Sequence, residues 1–371
     1  MADTSNKPRW ALGMMSGTSC DGIDAALVET DGETEIIIGA ALAEPYGPEF
    51  RARLMSVMGL KGPVAEVEKE LTERHAAVAK RLLSDNGLEP KDVALIGFHG
   101  QTLLHQPDLG RTKQIGDGAL LAKLTGIDVV NDFRSNDMAH GGQGAPFVPL
   151  FHAALAASMK RPVAVLNIGG VANVTWVGEG AVKGTAGAAG NAPVLAFDTG
   201  PGNALMDDWA LKHTGQAVDK DGALAAKGKV DDAALAKLMS HPYFARKAPK
   251  SLDRNDFDAS PVASLSPEDG AATLAAFTVA SIVKAAELFP APARRWIVAG
   301  GGRRNPVVMA GLAGKLGVPV APAERAGWNG DMLEAQAFGY LAVRSVRGLP
   351  LSVPGTTGVK EPVTGGKLHK K

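Results

Sequence analysis

The stretch WALGMMSGTSCDGIDAALVE, residues 10–29, is two apolar runs joined by a small, polar turn at 16–22. Runs of that length bounded by Gly and Ser predict a β-hairpin with a long glycine-bearing tip. The pattern recurs in the second half: residues 162–168, the turn Gly169-Gly170, then 171–177. Each hairpin precedes further helix and strand patterns, which predicts an internal structural duplication.

Between the hairpins, residues 63–83 place Val67, Leu71, Val78 and Leu82 on one helical face, with His75 on the same face as a boundary histidine without chemistry. Residues 92–97 and 127–131 read as buried strands ending in FHGQT (98–102) and DFR (132–134). The Gly- and Pro-rich segment 141–149 marks a domain junction, with Gly141-Gly142-Gln143-Gly144 as a hinge. Beyond it come a strand at 194–197 and a helix at 202–213 packing through Leu205, Trp209 and Leu211. A long helix at 271–288 and a strand at 296–299 follow. The low-complexity segment 180–192 reads as a mobile surface loop and the lysine-bearing tail after Gly366 as disordered. Strands alternating with helices predict an α/β protein of two similar lobes.

Composition narrows the function. Lys+Arg and Asp+Glu both number 39 in 371 residues, so the formal net charge is zero and the basic excess of a nucleic-acid binder is missing. Gly (45) and Pro (23) stay below the roughly 25–30% of low-complexity chains, so a folded core is expected. The single cysteine, Cys20, excludes an internal disulfide and a multi-cysteine zinc site. The N-terminus has no apolar signal region, and the apolar stretch 271–283 falls short of the roughly 18 residues of a membrane span. A cytoplasmic protein with no membrane partner is expected.

Four strand-to-glycine-turn sites carry candidate chemistry: 17–22, 167–170, 197–203 and 299–303. Glycine lets backbone N–H groups approach a phosphate, and oriented N–H groups form anion nests. There is no GxxxxGK[ST] loop, no complete GxGxxG, no HExxH and no Gly-x-Ser-x-Gly, so phosphate would be bound without a P-loop lysine and a metal centre of protein ligands is not expected. Asp198 stands out at the carboxyl end of a strand just before a glycine turn, where open α/β sheets place ligands. Its ordinary pKa, about 3.9, leaves it ionised and able to accept a proton; the alternative is a turn cap on Gly200.

Together the segments MSGTSCDGID (15–24), GFHGQT (97–102), QIGDGALLAKLTGIDVVNDFR (114–134), GGQGAPFVP (141–149), LNIGGVANVT (166–175), FDTGPGNALMDDW (197–209), PKS (249–251), AGGGRRNP (299–306) and DMLEAQAFGYLA (331–342) resemble the anhydro-N-acetylmuramic acid kinases, a branch of the actin, Hsp70 and sugar-kinase superfamily. The resemblance implies two ribonuclease-H-like lobes, at 1–140 and 141–371, with the C-terminal segment packing back on the first lobe and an ATP/sugar cleft between them. It implies that Gly17, Thr18, Ser19, Cys20, Asp21, Gly22, Ile23 and Asp24 wrap the ATP phosphates. Gly200, Gly202 and Asn203 would form a second phosphate loop, and Gly300, Gly301 and Gly302 support the adenosine side. Asp198 takes the place of the catalytic base, and Asp132, Arg134 and Glu334 those of the sugar contacts. Mg²⁺ would ride with the nucleotide, with Asp21 or Asp24 as outer-shell anchors.

The implied reaction opens 1,6-anhydro-N-acetylmuramic acid with water and phosphorylates O6, in bacterial cell-wall sugar recycling. A homodimer and lobe closure around substrate are further implications. Cys20 stands where the family usually has a larger apolar residue. An ordinary sugar or short-chain-acid kinase of the same superfamily, or a non-catalytic ATP-gated binding protein, are the alternatives. The few residues after Gly355 leave no room for the partner domain of the latter.

Overall fold

The structure is a computed structural model describing residues 7–180 and 193–371. The Gly/Ala-rich segment expected as a loop at 180–192 therefore lies, but for Gly180, outside the described residues. The described chain forms two compact units, residues 7–157 with Met332–Lys371, and Ser158–Glu179 with Pro193–Asp331.

In the first unit, β1 (Arg9–Ser16), β2 (Gly22–Thr30) and β3 (Ile36–Pro45) are antiparallel neighbours. β4 (Leu95–Gln106) runs parallel to β1, β5 (Arg111–Ile115) folds back on β4, and β6 (Val129–Asn131) runs parallel to β4. In the second unit, β7 (Val163–Ile168), β8 (Val171–Val177) and β9 (Val194–Pro201) are antiparallel neighbours; β10 (Trp296–Ala299) and then β11 (Val320–Pro322) add on in parallel to β7. With β5 set aside, both sheets share one order: third, second, first, fourth, fifth. That is the ribonuclease-H-like arrangement, so the duplication expected from the two hairpins is present in the strand order itself. The parallel strands read as continuous apolar runs (VAVL in β7, WIVA in β10) because both faces are covered.

The helix Val64–Asp85 buries Val67, Leu71, His75, Val78 and Leu82 along one stripe, as its periodicity predicts. The helix Leu333–Val346 lies directly on the first sheet. An added Cβ at Gly13 would stand 1.7 Å from the Ala335 carbonyl oxygen, and one at Gly97 would stand 1.9 Å from that of Phe338. Only glycine lets helix and sheet backbones come this close. In the second unit the helix Pro267–Ala285 starts on Ser266, whose hydroxyl accepts the Asp269 N–H at 3.1 Å, and buries Leu274, Phe277 and Ile282. Pro267–Leu288 is long and apolar enough to cross a membrane by length and composition, but 61% of that window is buried inside the fold.

Several expectations are corrected. Leu211 is 55% exposed while Leu205 and Trp209 are buried. In the helix Ala204–Thr214, residue 211 lies two positions from Trp209 and so on the opposite face. The tail after Gly366 is ordered: β12 (Lys367–His369) pairs antiparallel with β6, His369 bonds Asn131 at 3.0 Å, and Lys370 pairs with Asp128 at 2.7 Å. Without it β6 would be an open sheet edge. The strand expected at 92–97 starts at Leu95 and continues through FHGQT to Gln106, because those residues pair with β1 and β5. The Gly141–Gly144 run, expected as a hinge, is pinned within the first unit. Buried Asp137 accepts the Gly144 N–H (2.7 Å) and the Thr357 hydroxyl (2.6 Å), and its carbonyl accepts the Gly142 N–H.

The helix contact yields a prediction. Gly97→Ala should destabilise the fold by about 1–3 kcal/mol or more, the usual cost of overpacking, read as a lower urea midpoint; an unchanged midpoint contradicts the packing.

Candidate active site

In the second sheet β7, β9 and β10 run the same way, so their carboxyl ends meet one edge. Three glycine turns crowd there. An added Cβ at Gly300 (φ +74°) would lie 2.4 Å from Asn167 Oδ1, one at Gly302 2.3 Å from Ile168 Cγ2, and one at Gly202 2.2 Å from the Gly169 carbonyl oxygen. Asn203 Nδ2 donates to the Ile168 carbonyl at 3.0 Å. The N–H groups of Gly202 and Asn203 donate to the Gly170 and Gly169 carbonyls at 2.9 and 2.7 Å. The expected residues Gly202, Asn203 and Gly300–Gly302 are thus brought together, while a Cβ on Gly200 would face Ser281 at 2.7 Å. The loop after β9 spends those two amides on holding the Gly169-Gly170 turn, one of the four candidate glycine turns and one to which the family resemblance gave no role. Arg303, also missed, stiffens the third turn: it donates to the Gly300 carbonyl (2.9 Å) and pairs with Asp331 and Glu324, each at 2.8 Å.

Asp198 sits at the same edge. A bulge leaves Thr199 unpaired between Asn173↔Asp198 and Ala172↔Gly200, letting β9 continue to Pro201 while the side chains around it are re-aimed. The Asp198 Oδ2 accepts the Leu252 N–H at 2.8 Å, and its own N–H donates to the Lys250 carbonyl at 3.0 Å. The cap on Gly200 is not the bond its side chain makes. The ordinary pKa expected from sequence is not kept. Desolvation pushes the carboxyl up to about 7, against the Leu252 N–H, which favours the ionised form. A base poised near neutrality is what proton abstraction asks for.

In the first unit the tip between β1 and β2 is a tight turn. The Cys20 N–H donates to the Gly17 carbonyl at 3.0 Å, with Cys20 at φ +52° and its side chain buried. Arg51 Nε donates to the Cys20 carbonyl at 3.1 Å, and a Cβ on Gly22 would stand 2.6 Å from the Glu44 carbonyl oxygen. Thr18, Ser19 and Asp21 are exposed, Gly17 and Asp24 half-buried, and Ile23 is core. Behind the turn, Tyr46 donates to Ser16 Oγ (3.0 Å) and Ser16 to Gln101 Oε1 (2.6 Å).

β4 and β6 end at the same edge as β1, and there Arg134 is held by three hydrogen bonds to two partners. It donates to the Gly144 carbonyl (2.6 Å) and, through Nε and Nη2, to His99 Nε2 at 3.1 and 2.9 Å. His99 Nδ1 faces the Gly100 carbonyl at 3.0 Å, so it carries the proton and Nε2 the lone pair. Burial and then Arg134 hold His99 well below the usual histidine range, which keeps it a neutral acceptor. Burial lowers Arg134 to about 10, with Glu334 and Asp137 opposing, so it stays charged at neutral pH. Glu334, one residue into its helix, is pushed upward by desolvation and drawn down by Arg134. Arg134 and Glu334 are therefore electrostatic partners. Asp132 differs: at φ +53° it is exposed and accepts both the Ser135 hydroxyl (2.5 Å) and N–H (3.3 Å), closing a local turn. His99 and Asp137 were missed as supports for Arg134; the His99-Gly100-Gln101 triplet, which lies inside β4, was the one signal for His99, and Asp137 gave none. Among the described residues no group of three or more His, Cys, Asp or Glu is disposed to hold a metal.

Comparison with known proteins follows the same lines. The model of a family described as anhydro-N-acetylmuramic acid kinase matches residues 9–371. The anhydro-N-acetylmuramic acid kinase of Rhodospirillum rubrum is 54% identical over 362 residues, covering 96% of this chain and 93% of its own. That of Paramagnetospirillum magneticum is 55% identical over 362 residues, covering 97% and 99%. Among solved structures, the Acidaminococcus fermentans (R)-2-hydroxyglutaryl-CoA dehydratase component A overlays with a TM-score of 0.48 at 16% identity, covering 90% of this chain and 99% of its own. With half of its residues identical to such relatives over nearly its whole length, the chain belongs to the anhydro-N-acetylmuramic acid kinase family and is a phosphotransferase.

Proposed function

We propose that the protein opens 1,6-anhydro-N-acetylmuramic acid with water and transfers the γ-phosphoryl group of ATP to O6, giving N-acetylmuramic acid 6-phosphate and ADP. The observation that carries this reading is Asp198, a carboxyl at the sheet edge with its proton affinity raised to about 7. Asp198 takes a proton from the water that attacks C1; the C1–O6 bond breaks as the new C1–O bond forms. O6 then bonds to the γ-phosphorus as the bond to the β-phosphate oxygen breaks. Phosphoryl transfer asks the protein mainly for alignment and charge neutralisation, which the glycine-turn amides not already bonded to neighbouring carbonyls would supply.

Gly17, Thr18, Ser19, Cys20, Asp21, Gly22, Ile23 and Asp24 form the turn that would wrap phosphate in the first unit. Gly200, Gly202 and Asn203, with Gly169-Gly170, form its counterpart in the second, and Gly300–Gly302 line the nucleoside side. The lack of Cβ room at Gly202 and Gly300 fits turns built for close backbone approach. Arg134, fixed by His99 and Gly144, would hold the sugar with Glu334 and Asp132. Exposed Asp21 and half-buried Asp24 suit water-mediated contact with a Mg²⁺ carried on the phosphates, where the ion would neutralise charge. The family resemblance extends the reading to a cytoplasmic homodimer in cell-wall sugar recycling.

ADP release measured with the anhydro sugar, plain hexoses and short-chain acids tests the substrate; turnover of plain hexoses alone contradicts it. Asp198→Asn should lower kcat by about 10²–10⁴-fold while leaving affinity for a non-hydrolysable ATP analogue within a factor of about two. Loss of that binding instead would mark Asp198 as structural. Gly202→Ala, whose Cβ would meet the Gly169 carbonyl at 2.2 Å, should weaken analogue binding about tenfold or more by calorimetry, since forcing a turn apart costs about 1–3 kcal/mol. Native affinity would remove this turn from the phosphate site.

A further inference from the structure

Asp198 is gripped from below by two residues that no role has yet covered. The Tyr243 hydroxyl donates to the Asp198 carbonyl at 2.5 Å. The Lys250 ammonium donates to the Tyr243 carbonyl at 3.2 Å and lies 4.3 Å over the Tyr243 ring. The Lys250 carbonyl in turn accepts the Asp198 N–H, which closes a loop of contacts Asp198–Tyr243–Lys250–Asp198. Two residues on, the Leu252 N–H reaches the Asp198 carboxylate at 2.8 Å. Tyr243 and Lys250 are both buried, at 3% and 4% exposure. Placing an ammonium there costs free energy, offset by the carbonyl and the ring.

We propose that Tyr243 and Lys250 are positioning residues for Asp198: they pin the segment 250–252 against β9 so that the Leu252 N–H stays on the carboxylate. The inference rests on the reading of Asp198 as the base. Neither side chain touches the reacting atoms; both act through the backbone. The Leu252 N–H is the contact that favours the ionised carboxyl against desolvation. A slack segment weakens that bond, the carboxyl holds its proton more tightly, and the base becomes available only at higher pH. Burial, then Arg246, lowers Lys250 itself to about 8, so it is charged across the acid limb near pH 7. The other charged groups nearby are Arg246, 5.5 Å over the Tyr243 ring, and Asp256, which acts on the Tyr243 hydroxyl. Ser281, on the helix packed behind Gly200, is uncharged. All three remain in the variants below.

The test is kcat against pH for the full-length enzyme with ATP and the anhydro sugar, comparing Tyr243→Phe, Lys250→Met and Lys250→Arg, with Asp198→Asn as control. The acid limb of native kcat should centre near pH 7, following Asp198. In Tyr243→Phe and Lys250→Met it should move up by about one unit, so that kcat falls about tenfold at pH 6 and little at pH 9. Lys250→Arg, which keeps a donor and a cation over the ring, should return the limb toward native. KM for ATP should stay unchanged. An unmoved limb, or an equal loss at every pH, overturns the proposal and leaves the pair as packing. Tyr243→Phe keeps the ring and decides the matter if Lys250→Met does not fold. An active Asp198→Asn enzyme would instead overturn the assignment of the base.

Discussion

Each sheet sends its parallel strands to a common edge, and at that edge the chain must turn where a neighbour's backbone already occupies the space. In the second unit the carbonyls of Gly169 and Ile168, with Asn167 Oδ1, stand 2.2–2.7 Å from where Cβ atoms on Gly202 and Gly300 would sit. In the first unit the Glu44 carbonyl does the same at Gly22. Steric exclusion therefore puts glycine at these positions before any ligand is considered. The same exclusion gathers side-chain-free turns at the carboxyl edge, where open α/β sheets place ligands. Shape and chemistry come from one constraint.

The polar groups at these edges are tuned by their partners rather than by their identity. Asp198 is desolvated and stabilised by one amide, which leaves it near neutrality. His99 is buried against Arg134 and stays neutral, so it serves as a fixed acceptor that orients a cation. Asp137 lies entirely inside and is satisfied by two hydroxyls and an amide. It holds Gly144, whose carbonyl receives Arg134. Side chains that meet no substrate set the geometry of those that would.

Much of this was legible in the sequence. The hairpins at 10–29 and 162–177, the strand Trp296–Ala299 and the helix Val64–Asp85 follow from local periodicity, and the glycine turns announce the site. What was missed depends on distant partners. The C-terminal lysines look solvated until β6 is known to need a neighbour, and FHGQT looks like a loop until β5 pairs with it. Leu211 is a different case, since its two-residue spacing from Trp209 already puts it on the opposite helical face. A displaced pKa at Asp198 cannot be read from a DTGPGN string, because desolvation belongs to the fold. The roles of Tyr243 and Lys250 are invisible for the same reason: they reach Asp198 from 45 and 52 residues downstream.

The central claim is that Asp198 activates water at C1 while ATP phosphorylates the freed O6. Mass spectrometry of the product made from the anhydro sugar, ATP and Mg²⁺ in ¹⁸O-enriched water tests it most directly. One ¹⁸O at C1 of a sugar phosphorylated on O6, absent with Asp198→Asn, is the result this account requires. Phosphorylated sugar with no label at C1, or labelled product from the Asn variant, would contradict it.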